Sequence, residues 1–239
     1  MNQDTMKNSL IMGGSILLGL ALLGYLGGDA AVKVKSFERT VAVKGLSERE
    51  VPADIVIWPV TFQEANNDLN ALFAGIQRKN ELVVSFMTEQ GIAREEITVA
   101  PPAVVDRLAQ MYGGNDRVSF RYTATSTVTV YSRNVEMARK AMSNLIDLGK
   151  KGVAVYGEDY RNRTQFLFTG LNDLKPGMIE EATKNARAVA EKFAEDSQSR
   201  LGKIKSAYQG QFSIDDRDAT TPHVKKVRVV STVEYYLSD

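Results

Sequence analysis

The spacing of apolar and polar residues changes period several times along the chain, and each change marks an element. From Leu10 to Gly28 there is no charged residue, and Leu, Ile, Gly and Ala dominate the run, with one interfacial-type aromatic, Tyr25. About 20 apolar residues suffice to cross a bilayer, so this run is long enough to span. Thr40 to Gly45 and Ile55 to Phe62 then alternate, with Val56, Trp58, Val60 and Phe62 on one face, and both read as strands. Asn67 or Asp68 caps a helix whose apolar residues Leu69, Leu72, Phe73, Ile76, Val83 and Met87 follow helical spacing until Gly91. Extended structure returns over Glu96 to Val105, interrupted by Pro101-Pro102. From Val118 to Val130 the period is two, with Tyr122, Ala124, Val128 and Val130 on one face and Thr123, Thr125, Thr127 and Thr129 on the other.

A second helix is predicted from Asn134 to Leu148, with Gly149 as its stop. Short strands follow at Gly152 to Tyr156 and Thr164 to Thr169. A long third helix has Pro176 in its first turn and Ile179, Ala182, Ala186, Val189, Ala190, Phe193 and Ala194 as its buried face. Two long strands, Lys203 to Ile214 and Val224 to Leu237, close the chain around a polar loop from Asp215 to His223. Strand pairs punctuated by single helices predict an α+β fold, mostly antiparallel, with about three packed helices and one preceding transmembrane helix. The helix starts fall at uneven intervals, which argues against a solenoid.

This pattern divides the chain into a short tail at residues 1–9, a transmembrane anchor or signal sequence at 10–28, a linker at 29–38 and one domain at 39–239. An uncleaved anchor is preferred, because the apolar run exceeds the usual signal core and Gly28-Asp29-Ala30 is a poor cleavage site. Lys7 precedes the run while Lys33, Lys35 and Arg39 follow it, so the positive-inside rule alone would keep the domain inside.

Composition narrows the chemistry. Thirty Lys and Arg against 29 Asp and Glu leave a net charge of +1, which supplies no bulk attraction to nucleic acid. With no Cys and a single His, thiol nucleophiles, Cys-based zinc sites, iron-sulfur clusters and multi-histidine metal sites are ruled out by count. His223 stands beside Pro222 in a polar loop with no partner legible in sequence, and reads as a solvated loop histidine. Asp215-Asp216-Arg217-Asp218 lacks the glycine of a calcium loop and reads as a solvated turn. Glu95-Glu96 are adjacent at a helix-to-strand junction and point apart, a poor paired-carboxylate site. Gly113-Gly114-Asn115-Asp116 lacks the Lys-Ser/Thr of a phosphate loop, and the mixed charges of Glu158 to Arg163 suit a solvated hairpin or a subunit contact. No catalytic, cofactor-binding or metal-binding residue is assigned.

Several segments read together resemble the SIMPL domain family of bacterial envelope proteins, which includes periplasmic immunogenic and oxidative-stress-defence proteins. Val41-Ala42-Val43-Lys44-Gly45, followed by Val51, Pro52, Ala53 and Asp54, resembles the family's strand, glycine and Pro-Asp-like turn, with Ala53 intervening here. The Ala/Arg/Lys-rich run from Ala182 to Ala194, then Leu201-Gly202-Lys203-Ile204, resembles its helix and Leu-Gly-x-Ile strand start. Gly91-Ile92 and Glu96-Ile97 resemble its helix-to-strand junction. The resemblance runs from about Val41 to the C-terminus. It implies a periplasmic α+β domain that self-assembles into ring or channel-like homo-oligomers, with roles in envelope stress tolerance and no established catalytic residues. It also implies an N-terminus inside and the domain outside the inner membrane, against the charge bias. The leading expectation is a non-enzymatic, membrane-anchored, self-assembling protein. The alternative is a periplasmic binding module for a small molecule or client protein, and a carboxylate enzyme ranks last.

Overall fold

The computed structural model describes residues 3–36, 39–109, 119–157 and 162–238. Helix α1 covers Gln3–Ser36, and its 23-residue stretch Ile11–Lys33 is long and apolar enough to cross a membrane, with none of it buried. At 1.5 Å per residue that stretch spans about 35 Å, against about 30 Å of bilayer hydrocarbon. A signal sequence near the N-terminus meets the same criterion of length and composition. The remainder is an α+β fold whose paired strands run antiparallel wherever their register is defined. It divides into two compact units, with the division falling inside β1 (Thr40–Pro52), α5 (Leu171–Asp196), β8 (Ser213–Asp216) and β9 (Val224–Ser238).

The unit containing Arg49–Leu174 and Ile214–Val227 is built on β2 (Ile55–Asn66) and β5 (Tyr122–Ser132), paired from Val56 opposite Ser132 to Asn66 opposite Tyr122. β3 (Ile97–Val99) and β4 (Ala103–Asp106) join the far side of β5, and β6 (Gln165–Leu167) joins β2. Alternation puts Val56, Trp58, Val60, Phe62, Ala124, Val128 and Val130 into one core with Leu72, Ile76, Val83, Phe86 and Met87 of α2 (Leu69–Glu89). Ser126, on the same buried face, donates to Asn80 Oδ1 at 2.9 Å. The threonine face is half-buried, with Thr61 and Thr127 sharing a hydroxyl hydrogen bond of 3.0 Å.

Helix α2 starts and stops as its sequence indicates. The Asp68 carboxylate accepts from Ala71 N at 2.8 Å, and Gly91 takes φ +92°, where a side chain would be strained. The predicted second helix is instead two, α3 (Val135–Ser143) and α4 (Ile146–Lys150). Asn144 between them spends its amide on Gln90 Oε1 at 2.8 Å, tying the break to the end of α2. Gly149 therefore lies inside α4, and the left-handed residue after it is Gly152, at φ +86°. Gly152 to Tyr156 forms only an isolated bridge, between Phe62 and Val155.

The other unit carries a sheet in the order β1-β9-β7, where β7 is Arg200–Gln209; the short β8, of which only Ser213 belongs to this unit, also pairs with β9. Helix α5 buries Met178, Ala182, Ala186, Ala190 and Ala194, a stripe at intervals of four. Ala186 and Ala190 pack with Val43, Val233 and Tyr235. The stripe is narrow, so Val189 and Phe193, expected in the buried face, stay 41% and 54% exposed. Small side chains bring α5 so near β1 that a Cβ on Gly45 would lie 1.9 Å from Ala182 O and 2.4 Å from Ala186 N. Asn185 Nδ2 donates to Leu46 O at 2.8 Å across the same contact. The single strand predicted over Lys203 to Ile214 is broken at Gly210, whose N–H donates to Val230 O at 2.9 Å.

Gly45→Ala meets backbone rather than a movable side chain, and should cost about 3 kcal/mol, the upper end of overpacking penalties. Gly149→Ala, with nothing within 4 Å of the added carbon, should be neutral or stabilising by about 0.5 kcal/mol. Urea unfolding of both variants checks the pair.

Candidate functional site

The two-residue turn Ala53-Asp54 between β1 and β2 anchors two other segments. Ala53 N donates to His223 O at 2.8 Å, and Asp54 N donates to Leu167 O at 2.8 Å. The Asp54 carboxylate accepts from Thr169 N and from Thr169 Oγ1, each at 2.8 Å. β6 is thereby held on β2 with Phe166 opposite Val56, at the margin of the core.

The loop before His223 is ordered by Asp218. Its carboxylate accepts from Thr220 N, Thr220 Oγ1, Thr221 N, Thr221 Oγ1 and Arg217 Nε. These donors hold the Asp218 carboxyl well below the usual carboxylate range, the threonine hydroxyls contributing most. Pro222 follows with its fixed φ, and His223 is half-buried, its ring edge-on to Phe166 with centroids 6.0 Å apart and planes at 65°.

Helix α3 forms the opposite wall. Asn134 caps it, accepting from Met137 N at 3.1 Å, and Val135, Ala138 and Ala141 face the core. Glu136, Arg139, Lys140 and Ser143, at helical spacing, line a cleft of about 370 Å³ with Met142, Phe166, Thr220, Pro222 and His223. Arg139 Nη1 pairs with Glu136 at 2.8 Å. Lys140 has no ion-pair partner, and neither ring nitrogen of His223 has a hydrogen-bond partner, among the described residues. Burial pushes the His223 imidazole below its ordinary value and the Arg139 guanidinium adds to the push, opposed by Glu136. Ser143 Oγ donates to Arg139 O at 3.1 Å and Thr220 Oγ1 to Asp218 at 2.6 Å, so neither hydroxyl is activated by the imidazole.

On the other side of Phe166 and Pro222 lies a second cleft of about 380 Å³. There the buried Lys225 pairs with Asp216, which also meets Arg163 Nη2 at 3.6 Å. Asp216 and Asp218 thus serve an ion pair and a turn. Glu96 accepts from Ser132 Oγ at 2.8 Å and forms no carboxylate pair with Glu95. Among the described residues no cluster of three His, Asp or Glu is placed to hold a metal ion. Gly113-Gly114-Asn115-Asp116 and Glu158-Asp159-Tyr160-Arg161 lie outside the described residues.

The turn at Pro52-Ala53-Asp54, the junction at Gly91, and the alanine helix leading into Leu201-Gly202 therefore each have a structural task. The model of the SIMPL family, described as a protein of unknown function (DUF541), matches residues 41–235, most of the chain. This chain belongs to the SIMPL family. Comparison with curated proteins gives no match. SIMPL membership covers both units and leaves α1 outside the matched range.

His223 was legible as a loop histidine; its convergence with Phe166 and α3 was not, because three separate segments build the cleft. Since the fold favours neutral His223, its contribution to stability is complete above about pH 6.5, the unfolded value, and is lost as pH falls through the lower folded value. Urea unfolding at about pH 7.5 and about pH 5.5 should show a loss on acidification that is smaller in His223→Asn.

Proposed function

We propose that this SIMPL protein is anchored in the bacterial inner membrane by α1, with its N-terminus inside and its domain in the periplasm. It acts without catalysis, by assembling with copies of itself into a ring or channel-like oligomer that contributes to envelope or oxidative-stress defence. One observation carries the assembly reading: the sheet β1-β9-β7 ends in an open strand. Every residue of β7 except the half-buried Leu201 is exposed, including Ile204 at 50% and Tyr208 at 69%.

An edge strand offers unpaired N–H and C=O groups, and β1 is the edge at the other end of the same sheet. Pairing β1 of one copy with β7 of the next is head-to-tail, and such contacts close into rings when the rotation permits. Lys203 and Lys205 on β7 discourage indiscriminate pairing, a common protection of edge strands. Ile204 is opposite Tyr235, on the face that α5 covers, and α5 adds the exposed Val189 and Phe193 beside a cleft of about 390 Å³. An apolar centre beside an open edge is what a stable interface uses. The cleft at His223 favours a second reading, capture of a small molecule by the domain.

Light scattering after size exclusion of the full chain in detergent should give one discrete multi-subunit species. The double substitution Ile204→Lys with Phe193→Lys should reduce it to monomer. Ile146→Lys, at a still more exposed apolar position on α4, should leave the mass unchanged. A monomeric wild-type chain at all practical concentrations would reject the assembly reading.

A further inference from the structure

The cleft between α3 and the His223 loop is lined by polar and apolar side chains together and carries an unbalanced charge. Met142, Phe166 and Pro222 supply the apolar lining. Arg139 is offset by Glu136, whereas Lys140 is offset by nothing among the described residues. With His223 neutral the lining carries one net positive charge, and with His223 protonated it carries two. A volume of about 370 Å³ lies at the small end of ligand-binding sites. From this arrangement we infer that the cleft binds a small organic monocarboxylate, its carboxylate at Lys140 and Arg139 and its apolar body against Phe166 and Pro222.

A monoanion matches the single unpaired cation, and the apolar lining gives an organic body an advantage over an inorganic ion. The guanidinium of Arg139 has donors beyond the Nη1 that meets Glu136, so it can hold a second carboxylate. Glu136 competes for that guanidinium and repels the ligand. The unpartnered nitrogens of His223 add a donor, and a second charge once protonated. The charged groups acting on His223 are Arg139 and Glu136 from α3 and Arg217 and Asp218 from its own loop. Protonation of the imidazole adds a positive charge to the cleft, so binding tightens as pH falls from about 8 to about 5.5.

This inference rests on the small-molecule reading of the domain. His223 is the only histidine in the chain, so its imidazole resonances in the full chain in detergent are assigned without ambiguity. Benzoate serves as the probe and benzyl alcohol as its uncharged counterpart. The expected result is a saturable benzoate shift at His223, a rise in the imidazole pKa with benzoate bound, and no saturable shift with the alcohol. Lys140→Gln, at an exposed side chain, should weaken benzoate binding about tenfold, the scale of one charge-assisted hydrogen bond. Glu136→Gln should tighten it several-fold, a gain that damaged folding cannot produce. Equal saturable binding of benzoate and benzyl alcohol would overturn anion recognition while leaving a small-molecule cleft. No saturable shift with either probe would overturn both. Unchanged benzoate affinity in Lys140→Gln and Glu136→Gln would place the carboxylate elsewhere and reject the assignment.

Discussion

The register that joins β2 to β5 is the constraint from which the candidate site descends. With Val60 opposite Val128 and Trp58 opposite Val130, the large apolar residues of both strands share one face. A slip of one residue would turn either strand's apolar set to the other side. Helices α2 and α3 cover that shared face. β6 continues it, setting Phe166 opposite Val56, and Phe166 in turn fixes the His223 ring edge-on. The turn at Ala53-Asp54 secures both additions through its own backbone and carboxylate. The cleft is thus a product of strand pairing rather than of local loop sequence.

The second unit solves a different packing problem. Alanines at intervals of four allow α5 to lie almost in backbone contact with β1, and only glycine fits at position 45. Close approach gains dispersion contacts and two side-chain hydrogen bonds, Asn185 to Leu46 and Ser47 to Glu181. It also makes the covered strip narrow. Val189, Phe193 and Ile204 fall at or beyond its flank, and β7 has neither face buried. The same choice of small residues that tightens the helix contact leaves the apolar edge on which the assembly proposal stands.

Much of the fold could be read from period and punctuation. The alternation of Val56 to Phe62, the Asp68 cap, the stop at Gly91 and the last strand to Leu237 were all local signals, and the ordered segments resembling SIMPL pointed to the family that matches. Failures came where tertiary partners decide. Nothing local says that Asn144 bonds Gln90, so one predicted helix became two. Helical spacing alone put Val189 and Phe193 with the alanines, because the width of a buried stripe depends on how near the sheet lies. Pro222 beside His223, and Asp218 two and three residues before Thr220 and Thr221, are the local signals of an ordered loop. Asp218 organises the loop through its near neighbours Arg217, Thr220 and Thr221, whereas Arg139 and Lys140 become its cationic neighbours through a meeting of distant segments that one sequence does not reveal.

In the proposed assembly the ladder of β2 and β5 is self-sufficient, while the β7 edge is completed by a second copy. Hydrogen exchange of the full chain in detergent, followed across protein concentration, addresses both halves at once. Amides of Trp58, Val60, Val128 and Val130 should exchange slowly at every concentration, whereas the β7 amides that face away from β9 should exchange fast in dilute solution and slow as concentration rises. Exchange of β7 that is independent of concentration would contradict the account.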